Sequence, residues 1–241
     1  MLNKSKSISI ILSFCRKILH PFRTEKFDIS DCRNIFGVGF GNNDGHHLVD
    51  TLNFIRDVPH FEITETPIYR FHNQFRPETF FDISGIVGSE VLPVFVYPWG
   101  TFSDGSPVST KTVKISRFLG PSDQSLIHSE IASLSSLRDA IENHGFNPYR
   151  YPNSDINGTV LVPADGSRRV CVVMQGNHRV SVMSYLGFHH LPIKPGSTCL
   201  DYVYEAELDA WPLVKEGIIC ADIALKIFRF IQNKEGSGNL Y

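Results

Sequence analysis

The run Gln175-Gly176-Asn177-His178-Arg179 carries the densest chemistry in the chain, between the apolar stretch 170–174 and the helical pattern 180–186. The apolar stretch predicts a buried strand that delivers the chain to Gly176, where the missing Cβ lets backbone approach a ligand closely. The residues that follow open a helix, and the first N–H groups of a helix have no partner within it. Those amides and the positive end of the helix dipole favour an anion. His178 and Arg179 add side-chain donors, and a guanidinium grips phosphate through two parallel hydrogen bonds. The plainer reading makes Asn177 an N-cap and leaves His178 and Arg179 solvated in the first turn. Each cation at that end opposes the dipole by about 0.3–1 kcal/mol, a conflict that a bound anion removes. The segment is therefore read as a phosphate-binding or nucleotide-binding loop, with Gly176, Asn177, His178 and Arg179 as its ligand contacts.

The flanking elements must hold this loop in place. Residues 111–118 alternate as a short strand does, and Gly120-Pro121-Ser122-Asp123 ends it and supplies an N-cap in Ser122 or Asp123. Ile127, Ile131, Leu134, Leu137 and Ile141 then fall at helical spacing, with Gly145 as the stop. Residues 158–163 and 170–174 read as two strands joined around Asp165-Gly166, a hairpin signal. A strand at 191–194 completes the unit, and the expected class is α+β.

Strand, Gly-Asn-His-Arg, helix, Leu186-Gly187 and then Leu191-Pro192-Ile193 resembles the signature of the ParB/sulfiredoxin superfamily. The similarity covers residues 112–194 and is clearest from Leu126 onward. It implies a small ParB/sulfiredoxin-like α/β domain in which the loop holds nucleotide phosphates. Sulfiredoxins carry Gly-Cys-His-Arg, with the cysteine doing the chemistry. This chain has Asn177 there, which supplies no thiolate, so sulfiredoxin activity is not expected. The loop is closer to the Gly-His-His-Arg of the free-serine kinases. That resemblance implies ATP, ADP or CTP as cofactor, with Mg2+.

Composition sets the outer limits. The chain has 241 residues, 42% hydrophobic and 20% charged, enough for a full core in one domain or two small ones. Its 23 Lys and Arg against 25 Asp and Glu give net −2, so it has no broad basic field for duplex DNA, and nucleic acid is not the expected partner. The five cysteines form no Cys-x-x-Cys pair, which points to a reducing, cytoplasmic setting and to no structural zinc. Cys171, inside an apolar strand, reads as a small core residue.

Four regions are expected. Residues 1–25 form a basic amphipathic segment, too short in its apolar run for a signal peptide or a membrane span, that either contacts a membrane surface peripherally or packs on its own domain. Residues 26–98 form an accessory region, mixed α/β or helical, packing on the nucleotide domain. In it Gly37-x-Gly39-x-Gly41 is not a dinucleotide fingerprint, and His46 and His47 read as residues of a loop and helix start rather than a metal pair with Asp44. Its aromatic stretch, with Arg70, His72 and Arg76 interleaved, reads as packing rather than a base-stacking platform. Residues 99–195 are the nucleotide-binding domain, after a Pro- and Gly-marked linker at 92–107. Residues 196–241 are a loop and a C-terminal helix in which Cys220, Ala224, Ile227 and Ile231 share a face. That tail is too short for the multi-helix DNA-binding module that follows the nucleotide domain in partition proteins.

Phosphoryl transfer needs phosphate donors, usually a metal, and a carboxylate near the acceptor hydroxyl. The superfamily's kinases place a catalytic Glu near the start of the first core helix, which here implies Asp123 or Glu130 as general base beside His178. Acids at a helix start are equally favourable dipole partners. Lys114 and Arg117 on the preceding strand are candidates for holding the anionic part of a substrate or the outer phosphate, and are equally read as solvated strand residues. The expected function is a nucleotide-dependent phosphotransferase, a kinase acting on a small hydroxyl-bearing metabolite. The alternatives are a nucleotide-gated binding protein without catalysis and, less favoured, a DNA-binding ParB-like factor.

Overall fold

A computed structural model describes residues 24–87, 92, 96–100, 121–148, 155–196 and 200–236. The basic segment at the N-terminus, most of the linker and the strand expected at 111–118, with Lys114 and Arg117, lie outside the described residues. What is described is an α+β fold around a mixed sheet.

The expected hairpin forms the middle of that sheet. β3 (Ile156–Val162) and β4 (Val170–Gln175) pair antiparallel, and Gly166 adopts φ 72° in the connection. The other edge of β3 is shared. β5 (His190–Pro195) runs parallel to its first half and β6 (Tyr202–Tyr204) parallel to its second. Gly158 is required where these strands converge, because a Cβ there would lie 2.4 Å from Cys171 Sγ and 2.6 Å from the Val172 carbonyl.

Two strands come from the segment expected to be an accessory region. β1 (Glu25–Asp28) pairs antiparallel with β5, and β2 (Cys32–Arg33) pairs parallel with β4, so the strand path is β1-β5-β3-β4-β2. Residues 26–98 thus contribute strands to the same sheet as β3, β4 and β5 rather than forming only a layer laid upon it. A single 3-10 turn, Ile29–Asp31, joins β1 to β2. Across a flat sheet those edge strands would stand about 19 Å apart, at about 4.8 Å per strand, further than such a turn reaches. The sheet must therefore curl to bring its edges together.

Strand alternation sends side chains to two cores. Ile156, Val160, Cys171, Val173, Leu191 and Ile193 face one side, against α1 (His47–Asp57), α4 (Gln124–His144) and α5 (Asn177–Tyr185). Leu161, Val172 and Val203 face the other, with Trp99, Trp211 and Leu213, the last on α6 (Pro212–Lys215). Phe228 and Ile231 of α7 (Ala221–Gln232) complete that side. Ala224, Ile227 and Ile231 are buried on the expected face of α7, whereas Cys220 is exposed as its N-cap. Two shorter helices, α2 (Pro67–Gln74) and α3 (Phe80–Ser84), carry the aromatic stretch, with Phe71, Phe75 and Phe80 buried.

Candidate functional site

The loop after β4 has the form that its residues predict. Gly176 is the N-cap of α5 at φ 98°, ψ 18°, and no side chain caps the helix. The first amide bonded within the turn is that of Val180, to the Gly176 carbonyl. The amides of Asn177, His178 and Arg179 therefore stand at the helix mouth, where an anion is stabilised. A Cβ on Gly176 would lie 3.3 Å from Ile156 Cα, so the turn is pressed against the start of β3.

His178 and Arg179 leave this mouth on different sides. His178 Nε2 lies 2.6 Å from Glu130 Oε2, an ion-pair distance with both side chains about one-third exposed. Arg179 leans towards β3 and donates to the Asp155 carbonyl at 3.4 Å. Burial pushes its guanidinium below the usual range, and the nearby Asp155 carboxylate partly offsets that. Asp155 also faces Lys194 Nζ at 3.6 Å, so a second cation stands beside Arg179. The long 3.4 Å contact leaves most of the guanidinium fork available for oxygens of a ligand.

The two carboxylates proposed as base separate cleanly. Glu130 sits nearly two turns into α4 and reaches His178. Asp123 is the N-cap of α4, accepting from the Ser125 amide at 2.7 Å, and that bond holds its carboxyl below the usual range. Its place is structural.

Three further histidines, read from the sequence as loop, helix-start and interleaved basic residues, gather around the same point. His46 is the N-cap of α1, its Nδ1 accepting from the Leu48 amide at 3.3 Å. His47 opens α1, and its ring lies flat on Phe71, with centroids 3.8 Å apart and planes 2° from parallel. His72, on α2, meets Ser122 Oγ through Nδ1 at 3.2 Å, just ahead of α4. Burial pushes all three below the ordinary histidine range, His46 to about 3. A positive charge on His178 adds to the effect in each case. The sequence signal for this cluster was the pair His46-His47 at a helix start after a Gly-rich turn. Nothing in that spacing revealed its approach to residue 178, which is far off along the chain.

Among the described residues, several buried polar atoms here have no hydrogen-bond partner: His46 Nε2, His47 Nδ1, Asn177 Oδ1 and Ser181 Oγ. Such atoms are few in a native fold, and each calls for a physical explanation. Among the described residues no group of three or more His, Cys, Asp or Glu is arranged to hold a metal ion. Two open hollows, of about 420 Å³ beside Pro59–Glu65 and about 300 Å³ beside Thr24, Glu25 and Leu191, lie away from the α5 mouth. Among the described residues no helix is long and apolar enough to cross a membrane.

The chain matches no family model, no curated protein and no solved structure.

Proposed function

We propose that this chain is a nucleotide-dependent phosphotransferase acting on a small hydroxyl-bearing molecule, in a reducing compartment such as the cytoplasm. The observation that carries the reading is the Glu130–His178 contact of 2.6 Å beside the uncapped N-terminus of α5. An anion site alone would suit any phosphate binder. A carboxylate held at its rim adds a group able to take a proton, which is what a hydroxyl acceptor requires.

In this reading the amides of Asn177, His178 and Arg179 receive the phosphate oxygens, with the Arg179 guanidinium on one side. His178 meets Glu130 through Nε2 and stands beside the phosphate oxygens at the helix mouth. The Glu130 carboxylate takes the proton of the acceptor hydroxyl. The acceptor oxygen forms its bond to the terminal phosphorus, and the bond from that phosphorus to the bridging oxygen breaks. The leaving nucleotide, shorter by one phosphate, departs with the electron pair. Mg2+ entering with the nucleotide would neutralise phosphate charge.

The test is calorimetric titration of the full chain with ATP, ADP and CTP, with and without Mg2+, followed by phosphorus NMR of mixtures with amino-acid and sugar acceptors. Binding plus a new phosphate monoester signal supports the reading. No heat of binding with any nucleotide removes it, and binding without product transfers the site to a nucleotide-gated binding role.

A further inference from the structure

The Gly37-x-Gly39-x-Gly41 turn, which matches no dinucleotide fingerprint, is shaped around the end of the chain. Gly39 and Gly41 lack the positive φ that favours glycine, so close approach is what keeps them without side chains. A Cβ on Gly39 would collide with Lys234 Cε and Asp44 Oδ2, and one on Gly41 would lie 2.8 Å from Asp44 Oδ2. Asp44 closes the turn by accepting the Gly41 amide through Oδ2 at 2.7 Å. Its other oxygen, Oδ1, meets Lys234 Nζ at 2.7 Å, and the two side chains are only 15% and 29% exposed.

Lys234 stands in a place where lysine is unusual. The end of α7 is a Schellman turn, in which the Lys234 amide donates to the Ile231 carbonyl at 3.3 Å and the Glu235 amide to the Phe230 carbonyl at 3.1 Å. The left-handed position of such a turn is usually glycine. Lys234 holds it at φ 65°, the one positive φ of a non-glycine residue among the described residues. A lysine there carries backbone strain that glycine avoids, and its side chain gains the Asp44 carboxylate in return. Two further contacts fasten the same ends. Gly236 is buried against Phe36, where a Cβ would collide with the carbonyl. Arg33, buried on β2, donates to the Gln232 carbonyl at 3.4 Å, where a cation also complements the dipole of α7.

We propose that residues 233–236 are a releasable latch on the Gly-rich turn. Lys234 seated on Asp44 holds the turn closed, and withdrawal of the ammonium lets residues 37–45 open while the rest of the sheet stays folded. That turn is the passage into α1. Asp44 and Gly45 lead directly to His46, the N-cap of α1, and the Phe40 carbonyl accepts from Ser184 of α5. The end of α7, on one face of the sheet, thereby fixes a segment that joins helices packed on the other. The latch works by charge and position and is independent of what α5 binds.

The test is hydrogen exchange of the full chain, read by mass spectrometry on peptides covering residues 37–46 and, as reference, 156–175. Wild type is compared with Lys234→Met and Lys234→Gly, with urea denaturation of each. Met keeps most of the reach and loses the charge, whereas Gly also removes the backbone strain. Exchange across 37–46 should rise by about two- to fivefold in both variants, the scale of a partly screened ion pair, with 156–175 unchanged. Lys234→Gly should do this at a global stability equal to or above that of wild type, a combination that a pair serving overall stability alone does not give. Folded variants whose 37–46 peptides exchange as in wild type overturn the latch, and so does a rise spread equally over both regions.

Discussion

Glu130 and His178 stand 48 positions apart in sequence and meet at 2.6 Å between Oε2 and Nε2, one from the second turn of α4 and one from the first turn of α5. Two helices packed on the same face of the sheet thus bring a carboxylate to the rim of an open helix N-terminus.

Glu130→Gln keeps the shape and the hydrogen-bonding reach and removes the ability to take a proton. Phosphate transfer should fall by about a hundredfold or more, the scale of a general base, while nucleotide affinity changes little. Stability should change by under about 1 kcal/mol, because the pair is partly solvent-exposed. Turnover and calorimetric titration on one preparation separate these effects. Unchanged turnover would remove Glu130 from the chemistry.

Asp123→Ala tests the opposite assignment. The lost N-cap of α4 should cost about 1 kcal/mol in urea denaturation. Transfer at saturating substrate should be unaltered. A large fall in turnover with little loss of stability would return Asp123 to the candidates.

Local elements were legible in the sequence because each rests on near neighbours. The α4 helix ends at Gly145 as its spacing predicts, the hairpin turns at Gly166, and Gly176 opens α5 with a positive φ. The sheet edges were not legible. β2 is two residues long and β1 four, too short for alternation to register, and their pairing with β4 and β5 is a long-range choice. Within the candidate site, the spacing at 170–186 showed the strand, the glycine and the helix start, whereas the meeting of Glu130 with His178 depends on the packing of α4 on α5. The histidines of α1 and α2 were beyond reach for the same reason, since their burial depends on Phe40, Phe71 and the helices that close over them.

Gly176→Ala should destabilise the fold by about 1–2 kcal/mol, the scale of placing a side chain in left-handed backbone. The added methyl also meets Ile156, at 3.3 Å from both Cα and Cγ1, so the turn must move away from β3. That shift displaces the amides of Asn177 and His178 from the ligand. Nucleotide affinity should therefore fall together with the midpoint of thermal unfolding. A variant that loses stability and binds ATP as wild type does would show that the turn is structural only.

The buried histidines make stability depend on pH in a defined direction. His46, His47 and His72 all have folded-state values below the unfolded 6.5, chiefly through burial. The unfolded chain thus binds more protons than the folded one below pH 6.5, and stability falls as pH falls through that range. Above pH 6.5 these residues contribute no slope. For His46, pushed down to about 3, the loss by pH 5 is about 2 kcal/mol, at about 1.4 kcal/mol per pH unit. Urea denaturation at pH 7.5, 6.5 and 5.0 should give two similar values and then a fall. His46→Asn should show a smaller fall between pH 6.5 and 5.0 than wild type, because its side chain does not titrate. An equal fall in both proteins would mean that His46 takes up its proton in the folded state, and that its ring is not held as the neutral donor its hydrogen bond to Leu48 requires.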